Sequence, residues 1–345
     1  MPYGAAASSP GRPACRLLPP AWPLPASRLP PPPCPCRPPR GSKPMAGSIS
    51  ARLQGEAAAF TAALRTLVNN PQFSDVTFVV GPEQQKVFAH RCVLVCRCQA
   101  FQGMLCQGPG DSEDSPSGVP PQGPFVLGNV QPEVFLTVIE FLYTNSVTLN
   151  KHIALEVLTS SVEYGLQDLC KLCVTFIKDT LSIEQVCEAL QAAVTYGQAD
   201  LQQHCLSFIE GCTAAVIRTR GFHELSDVVL ARVLRSDRLD VDELDLVQAV
   251  REWAHVSSQA VLERPVSEVA ALPVQELRLP LLAPSELATL ETHNQHDLLI
   301  PMESIAAAWR SHALRKGSGV PSHLCRPRRG TRPREHHRRL DPHAK

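Results

Sequence analysis

The sequence predicts an α+β fold, in which a small sheet capped by helices is followed by an all-α helical domain. Two patterns support this prediction. Apolar residues alternate at Val76, Phe78 and Val80 and return at 87–89, as in two short, half-buried strands joined by a turn. From Pro132 onwards, apolar residues instead recur at spacings of three and four, which is typical of amphipathic helices packed one after another.

Composition limits the classes of function. Lys+Arg and Asp+Glu both number 33 in the 345 residues, so the net charge gives no general attraction to nucleic acid or acidic membranes. No apolar run reaches the roughly 20 residues that a membrane-spanning helix needs. The 13 cysteines are an odd count and lie mostly on helical faces. We therefore expect reduced thiols in a protein that is cytoplasmic and/or nuclear, not secreted.

Residues 1–48 are rich in proline and are predicted to be a disordered leader, because proline removes backbone donors and fixes φ. Two interpretations stay open: a docking peptide for an aromatic-lined groove, or a dispensable leader with a second start at Met45. After it, Leu53, Phe60, Leu64 and Leu67 share one face of a short predicted helix. This face can pack on its own domain or on another molecule.

The two strands lead into an apolar helical segment that ends at Leu105. Gly, Pro, Ser and acidic residues then predict a mobile surface loop over 106–124. Phe125 to Leu127 predict a third strand, and Pro132 marks the first turn of a helix.

A helical domain is predicted over 181–290, with a helical extension over 291–316. Ser182 with Gln185, and Asp240 with Glu243, have the spacing of capping boxes, which predicts helix starts there.

Beyond 316 the chain is rich in arginine and lacks periodicity, so residues 317–345 are predicted to be a disordered basic tail. Such a tail can contact phosphates or simply be solvated. It has no interleaved aromatic residues, so we do not expect specific binding of single strands.

The chemistry-bearing residues do not form a recognisable catalytic or metal site. Cys170-x-x-Cys173 lies within an apolar helical stripe, so these residues are predicted to be buried thiols, not zinc ligands. His90 and Arg91 lack a nucleophile motif, a phosphate loop or a second carboxylate. We therefore expect no enzyme activity, no metal and no cofactor, and interpret Asp75 and Arg91 as a structural ion pair.

Three segments together resemble the signature of a BTB/POZ domain: Asp75-Val76, Phe88-Ala89-His90-Arg91-x-Val93-Leu94 and Phe101-x-x-Met104-Leu105. The segment from Pro132-Glu133-x-Phe135 to Phe141-Leu142-Tyr143-Thr144 is similar to the same family. Further on, Leu181-Ser182, Phe222-x-x-Leu225 and Trp253 resemble the BACK domain that often follows. The predicted boundaries are 49–180 for the BTB/POZ-like domain and 181–290 for the BACK-like domain.

The resemblance implies a homodimer that acts as a substrate adaptor for a cullin-RING ubiquitin ligase. The residues that it places at the dimer interface are Leu53, Phe60, Leu64, Leu67, Asp75 and Arg91. Those that it places facing a cullin are Phe101, Met104 and Leu105.

The sequence departs from the family directly after Leu105, where adaptors often carry a hydrophobic residue, any residue and then Glu. Residues 106–110 read Cys-Gln-Gly-Pro-Gly. No kelch or zinc-finger module follows either. The alternative is a dimeric BTB scaffold that binds no cullin.

Overall fold

The structure is a computed structural model that describes residues 54–106, 124–260, 265–314 and 320–337. Leu53, the predicted leader over 1–48 and the predicted loop over 106–124, except at its two ends, lie outside the described residues. In the described part of the chain, no helix combines the length and apolarity required to cross a membrane.

A three-stranded sheet forms near the beginning of the described chain. Strand β1 (Val76–Val80) pairs antiparallel with β2 (Gln85–Ala89) and parallel with β3 (Phe125–Leu127), in the order β2-β1-β3. Alternate residues of β1, beginning with Val76, are buried, as the sequence pattern predicts. Gly81, which follows β1, has a φ of +73°, a conformation that glycine adopts without strain.

In the described stretches, six helices complete this part of the fold. They are α1 (Ala57–Arg65), α2 (Arg91–Arg97), α3 (Gln99–Cys106), α4 (Pro132–Thr144), α5 (Ala154–Glu163) and α6 (Gln167–Thr180). Helix α4 begins at Pro132, as predicted, and Asn145 ends it in the left-handed conformation. The ring of Phe78 on β1 lies 5.8 Å from that of Phe101 and 5.1 Å from that of Phe135. These aromatic contacts join the sheet to α3 and α4.

The remaining helices continue the same hydrophobic core. They are α7 (Val186–Thr195), α8 (Ala199–Val216), α9 (Arg220–His223), α10 (Asp227–Leu234), α11 (Glu243–Ala260), α12 (Val266–Val269), α13 (Ala271–Val274), α14 (Pro284–Asp297) and α15 (Met302–Leu314). Trp253 of α11 is buried, and its indole N–H donates to the carbonyl of Leu225 at 2.9 Å. The fold is therefore α+β with a helical second part, which confirms the predicted fold class.

The cysteines of the helical faces are free and mostly buried. Burial raises the pKa of Cys173, Cys187 and Cys205 to about 12. At neutral pH these thiols are protonated and behave as small hydrophobic side chains.

The two predicted capping boxes do not form. Helix α7 begins at Val186, and the Ser182 hydroxyl contacts the Gln185 side chain at 3.3 Å. At α11, Asp242 and not Asp240 accepts a hydrogen bond from an N–H of the first turn, that of Leu244. The side chain of Glu243 is fully buried and binds Arg328 and the backbone N–H of Arg278 instead of the helix start. The spacing located the start of α11 but gave Glu243 the wrong partner.

The structure also corrects the predicted disordered tail for residues 320–337. This segment has a short 3-10 turn over Ser322–Cys325, and it buries Cys325 and Arg328 to 6% and 3% exposure. We call residues 320–337 the C-terminal strap. It lacks helical periodicity because it packs as an irregular segment through its arginines, not through an apolar face. The other residues of the predicted tail, 317–319 and 338–345, lie outside the described stretches.

Candidate protein-interaction site

Helix α1 contacts its own domain without burying any of its residues. Its last residue, Arg65, forms an ion pair with Glu140 of α4 at 2.6 Å and donates to the Ser146 hydroxyl at 3.1 Å. Leu64 is half-buried, whereas Phe60 is 66% exposed. Leu67, just after the helix, packs partly against the core. The carboxyl end of the helix is therefore held on α4, while a large aromatic side chain faces solvent.

Asp75 and Arg91 lie together, as the sequence predicts, although the contact uses the backbone. The Asp75 carboxylate accepts a hydrogen bond from the Arg91 backbone N–H at 2.7 Å, at the start of α2. The Arg91 guanidinium donates to the carbonyl of Leu105 at 3.1 Å and lies 5.8 Å from the ring centre of Phe125. Arg91 thus ties the start of α2 to the end of α3 and to β3, which is an architectural role.

His90 is also held by structural contacts. Its backbone N–H donates to the Tyr143 hydroxyl at 2.8 Å, and its Nδ1 lies 2.8 Å from the same oxygen. Burial raises the pKa of Tyr143 to about 12, so the phenol stays protonated at neutral pH. These contacts fix the junction of β2 and α2 on α4.

The structure separates the three residues predicted to face a cullin. Phe101 is fully buried and Leu105 is 2% exposed, because positions four apart on α3 face the core together. The ring of Phe101 stacks on that of Tyr164 with 5.0 Å between centroids. For Phe101 and Leu105 the prediction of a partner-facing side chain is therefore wrong. Met104 is half-buried and remains accessible.

The largest feature that sequence reasoning missed is the site where the C-terminal strap binds. We call the carboxylates that receive it the acidic cradle; its residues are Asp237, Asp240, Asp242, Glu243, Asp245 and Glu286. The anchor of the strap is Arg328, whose Nε lies 3.0 Å from Glu243 Oε2. Its other guanidinium nitrogens donate to the carbonyls of Leu234, Ser236 and Glu276. The Arg328 side chain therefore extends from the strap into the interior of the helical domain, where it bonds to several separate segments of that domain.

Other strap arginines bind the rim of the acidic cradle. Arg326 pairs with Asp237 at 3.1 Å, Arg329 with Asp240 at 3.0 Å, and Arg332 with Asp245 at 3.7 Å. Arg334 bridges Asp242 and Glu286, with 2.8 Å to each.

The strap lowers the pKa of Asp242, because its arginines stabilise the charged carboxylate. Burial acts to raise this pKa, but hydrogen bonds from the Arg334 side chain and the Arg332 N–H bring it below its ordinary value. The acid-rich run 237–245 and the arginine-rich tail are complementary in sequence, which is the one signal that could have suggested their contact.

Within the described stretches, no three His, Cys, Asp or Glu side chains are placed to hold a metal ion. Most of the features described above are contacts within a helical protein that has a small sheet.

Comparison with known proteins agrees with this description. The BTB/POZ domain family matches residues 64–181, and the family described as BTB And C-terminal Kelch matches residues 186–291. BTB/POZ domain-containing protein 19 of Bos taurus and that of Homo sapiens are each 59% identical to this chain over 289 residues, which cover 84% of this chain and 96% of theirs. BTB/POZ domain-containing protein 6-A of Danio rerio is 28% identical over 266 residues, 74% of this chain and 46% of that relative.

Proposed function

Because the chain belongs to the BTB/POZ domain family with a following BACK domain, we propose that it is a non-enzymatic protein-interaction module that works as a homodimer. The observation that carries the proposal is α1, an amphipathic helix none of whose residues is buried in the single chain. A large apolar side chain such as Phe60 gains about 1.5–3 kcal/mol when it leaves water. A second copy supplies the surface that buries it.

The surroundings of α1 support this use. Arg65 holds the helix on α4, so its apolar face is presented by a fixed element and not by a loose end. Preformed surfaces of this kind bind with little cost in conformational entropy. Asp75, which is exposed, and Arg91, which is half-buried, stabilise the neighbouring start of α2 and remain in the proposed interface as architectural residues. Leu53 belongs to the same proposal on its sequence pattern.

The mass of the full chain in solution tests the proposal. Light scattering is expected to give twice the monomer mass of 37.6 kDa, and Phe60→Asp is expected to give the monomer mass. The matched control is Val228→Asp, which places the same charge on an exposed apolar position of α10 and leaves the dimer intact. A wild-type mass that stays monomeric at every concentration contradicts the proposal.

A second candidate function is substrate adaptation for a cullin-RING ubiquitin ligase. The order of a BTB/POZ domain and a BACK domain favours it, since this order is common in such adaptors. Of the three residues predicted to face a cullin, Met104 alone retains an accessible side chain for the contact, and the chain lacks the hydrophobic-x-Glu triplet after Leu105. The rival is a dimeric scaffold that binds no cullin.

Co-purification separates the adaptor from the scaffold. An adaptor retains a purified cullin at micromolar concentration and moderate salt, and Met104→Asp weakens retention while Val228→Asp does not. A chain that dimerises and retains no cullin is a scaffold. The free cysteines of the described residues support a reducing compartment, the cytoplasm or the nucleus, for either function.

A further inference from the structure

We propose that Thr331 is a phosphorylation site for an arginine-directed protein kinase, and that a phosphate at this position keeps the C-terminal strap out of the acidic cradle. This inference concerns the helical domain and is independent of the dimer and cullin proposals.

The sequence around Thr331 places arginines where such a kinase binds them. Arg328 and Arg329 stand three and two residues before the hydroxyl, and Gly330 separates them from it. Kinases of this class hold guanidinium groups with carboxylates, through charge-assisted and often bidentate hydrogen bonds. The acidic cradle binds the same two arginines through Glu243 and Asp240. Kinase and cradle therefore compete for the same groups.

In the bound strap, Thr331 lies in a tight turn pressed against the helical domain. Its hydroxyl accepts a hydrogen bond from the Arg328 N–H at 2.8 Å, and its own N–H donates to the Arg328 carbonyl at 3.1 Å. The N–H of Gly330 donates to the carbonyl of Leu239 at 3.0 Å. A Cβ on Gly330 would collide with the backbone N of Val241, so the turn fits only because residue 330 is glycine.

A phosphate on Thr331 brings negative charge close to the carboxylates of the acidic cradle, which bind the positively charged arginines of the strap. The next residue, Arg332, donates its backbone N–H to Asp242 at 2.8 Å, and its side chain reaches Asp245. Phosphorylation adds about 1.5 to 2 negative charges at neutral pH, which these carboxylates repel. If the phosphate instead takes the Arg329 or Arg332 guanidinium, the pair with Asp240 or Asp245 is lost. Either outcome weakens the binding of the strap to the acidic cradle.

The strap can leave the acidic cradle because several of the ion pairs that hold it are exposed to solvent. The side chains of Arg329 and Asp240 are 51% and 52% exposed, and those of Arg332 and Asp245 are 69% and 50% exposed. Pairs of this kind contribute little individually and weaken with salt. Arg328 and Arg334 are the exceptions, because the Arg328 side chain is fully buried against Glu243 and that of Arg334 is only 10% exposed where it bridges Asp242 and Glu286. The kinase therefore acts on the strap when both arginines are out of their sites. The modified strap then cannot return, so phosphorylation retains the released state.

The chemical step is an ordinary phosphoryl transfer from ATP. The Thr331 Oγ1 forms a bond to the γ-phosphorus, the bond from that phosphorus to the bridging oxygen of ADP breaks, and the hydroxyl proton goes to the carboxylate base of the kinase. ADP leaves with the bond electrons.

The test uses the full chain, ATP and the catalytic subunit of cyclic-AMP-dependent protein kinase. Fragment mass spectrometry is expected to place phosphate on Thr331, and the Thr331→Ala variant is expected to lack phosphate at that position. Amide hydrogen exchange in residues 328–334 is expected to become faster by about tenfold or more on phosphorylation. Thr331→Ala treated with kinase and ATP is the control for exchange.

Gly330→Ala supplies a second measurement, because it excludes the strap by volume without changing its charge. We expect this variant to be phosphorylated at Thr331 faster than the wild type. Three results each overturn the proposal: no phosphate on Thr331, unchanged exchange in fully phosphorylated protein, or equal phosphorylation rates for Gly330→Ala and the wild type.

Discussion

Arg328 and Glu243 form an ion pair in which neither side chain is exposed to solvent, with 3.0 Å between Nε and Oε2. The residues are 85 positions apart in sequence. The other carboxylate oxygen, Oε1, accepts a hydrogen bond from the backbone N–H of Arg278 at 2.6 Å. Burial of two ions costs free energy, which these hydrogen bonds and the mutual attraction offset. The helical domain therefore depends on a residue from the C-terminal strap.

Replacing the anchor tests this dependence. Arg328→Met leaves a buried, unpaired carboxylate, so the free energy of unfolding is expected to fall by about 3–5 kcal/mol, measured by urea denaturation. The double variant Glu243→Met with Arg328→Met is expected to lose less, because it leaves no unpaired charge. Arg332→Met removes an exposed pair and is expected to change the free energy of unfolding by about 1 kcal/mol or less. Equal losses in Arg328→Met and Arg332→Met contradict the buried anchor.

Low pH is expected to reduce the free energy of unfolding through His336, a residue of the C-terminal strap that contacts the helical domain. Burial, and then the neighbouring His312 and His337, lower the pKa of His336 to about 4. In the unfolded chain a histidine titrates at about 6.5, so between about pH 6.5 and 4 the unfolded state binds a proton that the folded state does not. The contribution to stability is complete above this window and decreases as the pH falls through it.

Thermal denaturation across the window measures this effect. His336→Gln keeps a side-chain donor for the Pro280 carbonyl, which lies 3.1 Å from His336 Nε2, and removes the titration. The variant is expected to lose less stability than the wild type between pH 6.5 and 4, whereas His323→Gln, at an exposed position, is expected to follow the wild type. Identical pH profiles for His336→Gln and the wild type refute the assignment.

Truncations on α3 distinguish core residues from surface residues. Phe101→Ala removes a ring packed between Phe78, Phe135 and Tyr164, and is expected to lower the free energy of unfolding by about 3–5 kcal/mol. Met104→Ala, at a half-buried position, is expected to cost distinctly less. Chemical denaturation compares the two, and a stable Phe101→Ala protein would show that the ring does not support the core.

Thiol reactivity reports the burial of the cysteines. Cys92 and Cys96 are exposed and are expected to react with a maleimide in the native protein. Cys173, Cys187 and Cys205 are expected to react at least about a hundredfold more slowly, since burial raises their pKa to about 12 and blocks access. Mass spectrometry assigns each label. Rapid native labelling of these three, with slow labelling of Cys92, would contradict the packing.

The fold was largely predictable because its signals are local. Alternation in β1, the position of Pro132 in α4 and the apolar stripes of the later helices each depend on neighbouring residues. The candidate site was predictable only in part. The sequence brought Asp75 and Arg91 together, but it could not show that Phe101 and Leu105 turn inwards while Met104 stays accessible, because that depends on how α3 rotates against α4.

The C-terminal strap shows which properties the sequence determines and which depend on the tertiary structure. By itself the sequence determined the classes of element, the two domains and the absence of net charge, because composition and short-range periodicity carry that information. Whether an arginine-rich tail is solvated or bound depends on where its counter-charges stand. The partners of Arg328 and Arg334 come from residues 234–243, 276 and 286, which only the packing of α10, α11 and α14 brings together. Ion pairs formed over such separations leave no local pattern, so tertiary structure alone decided the role of the tail.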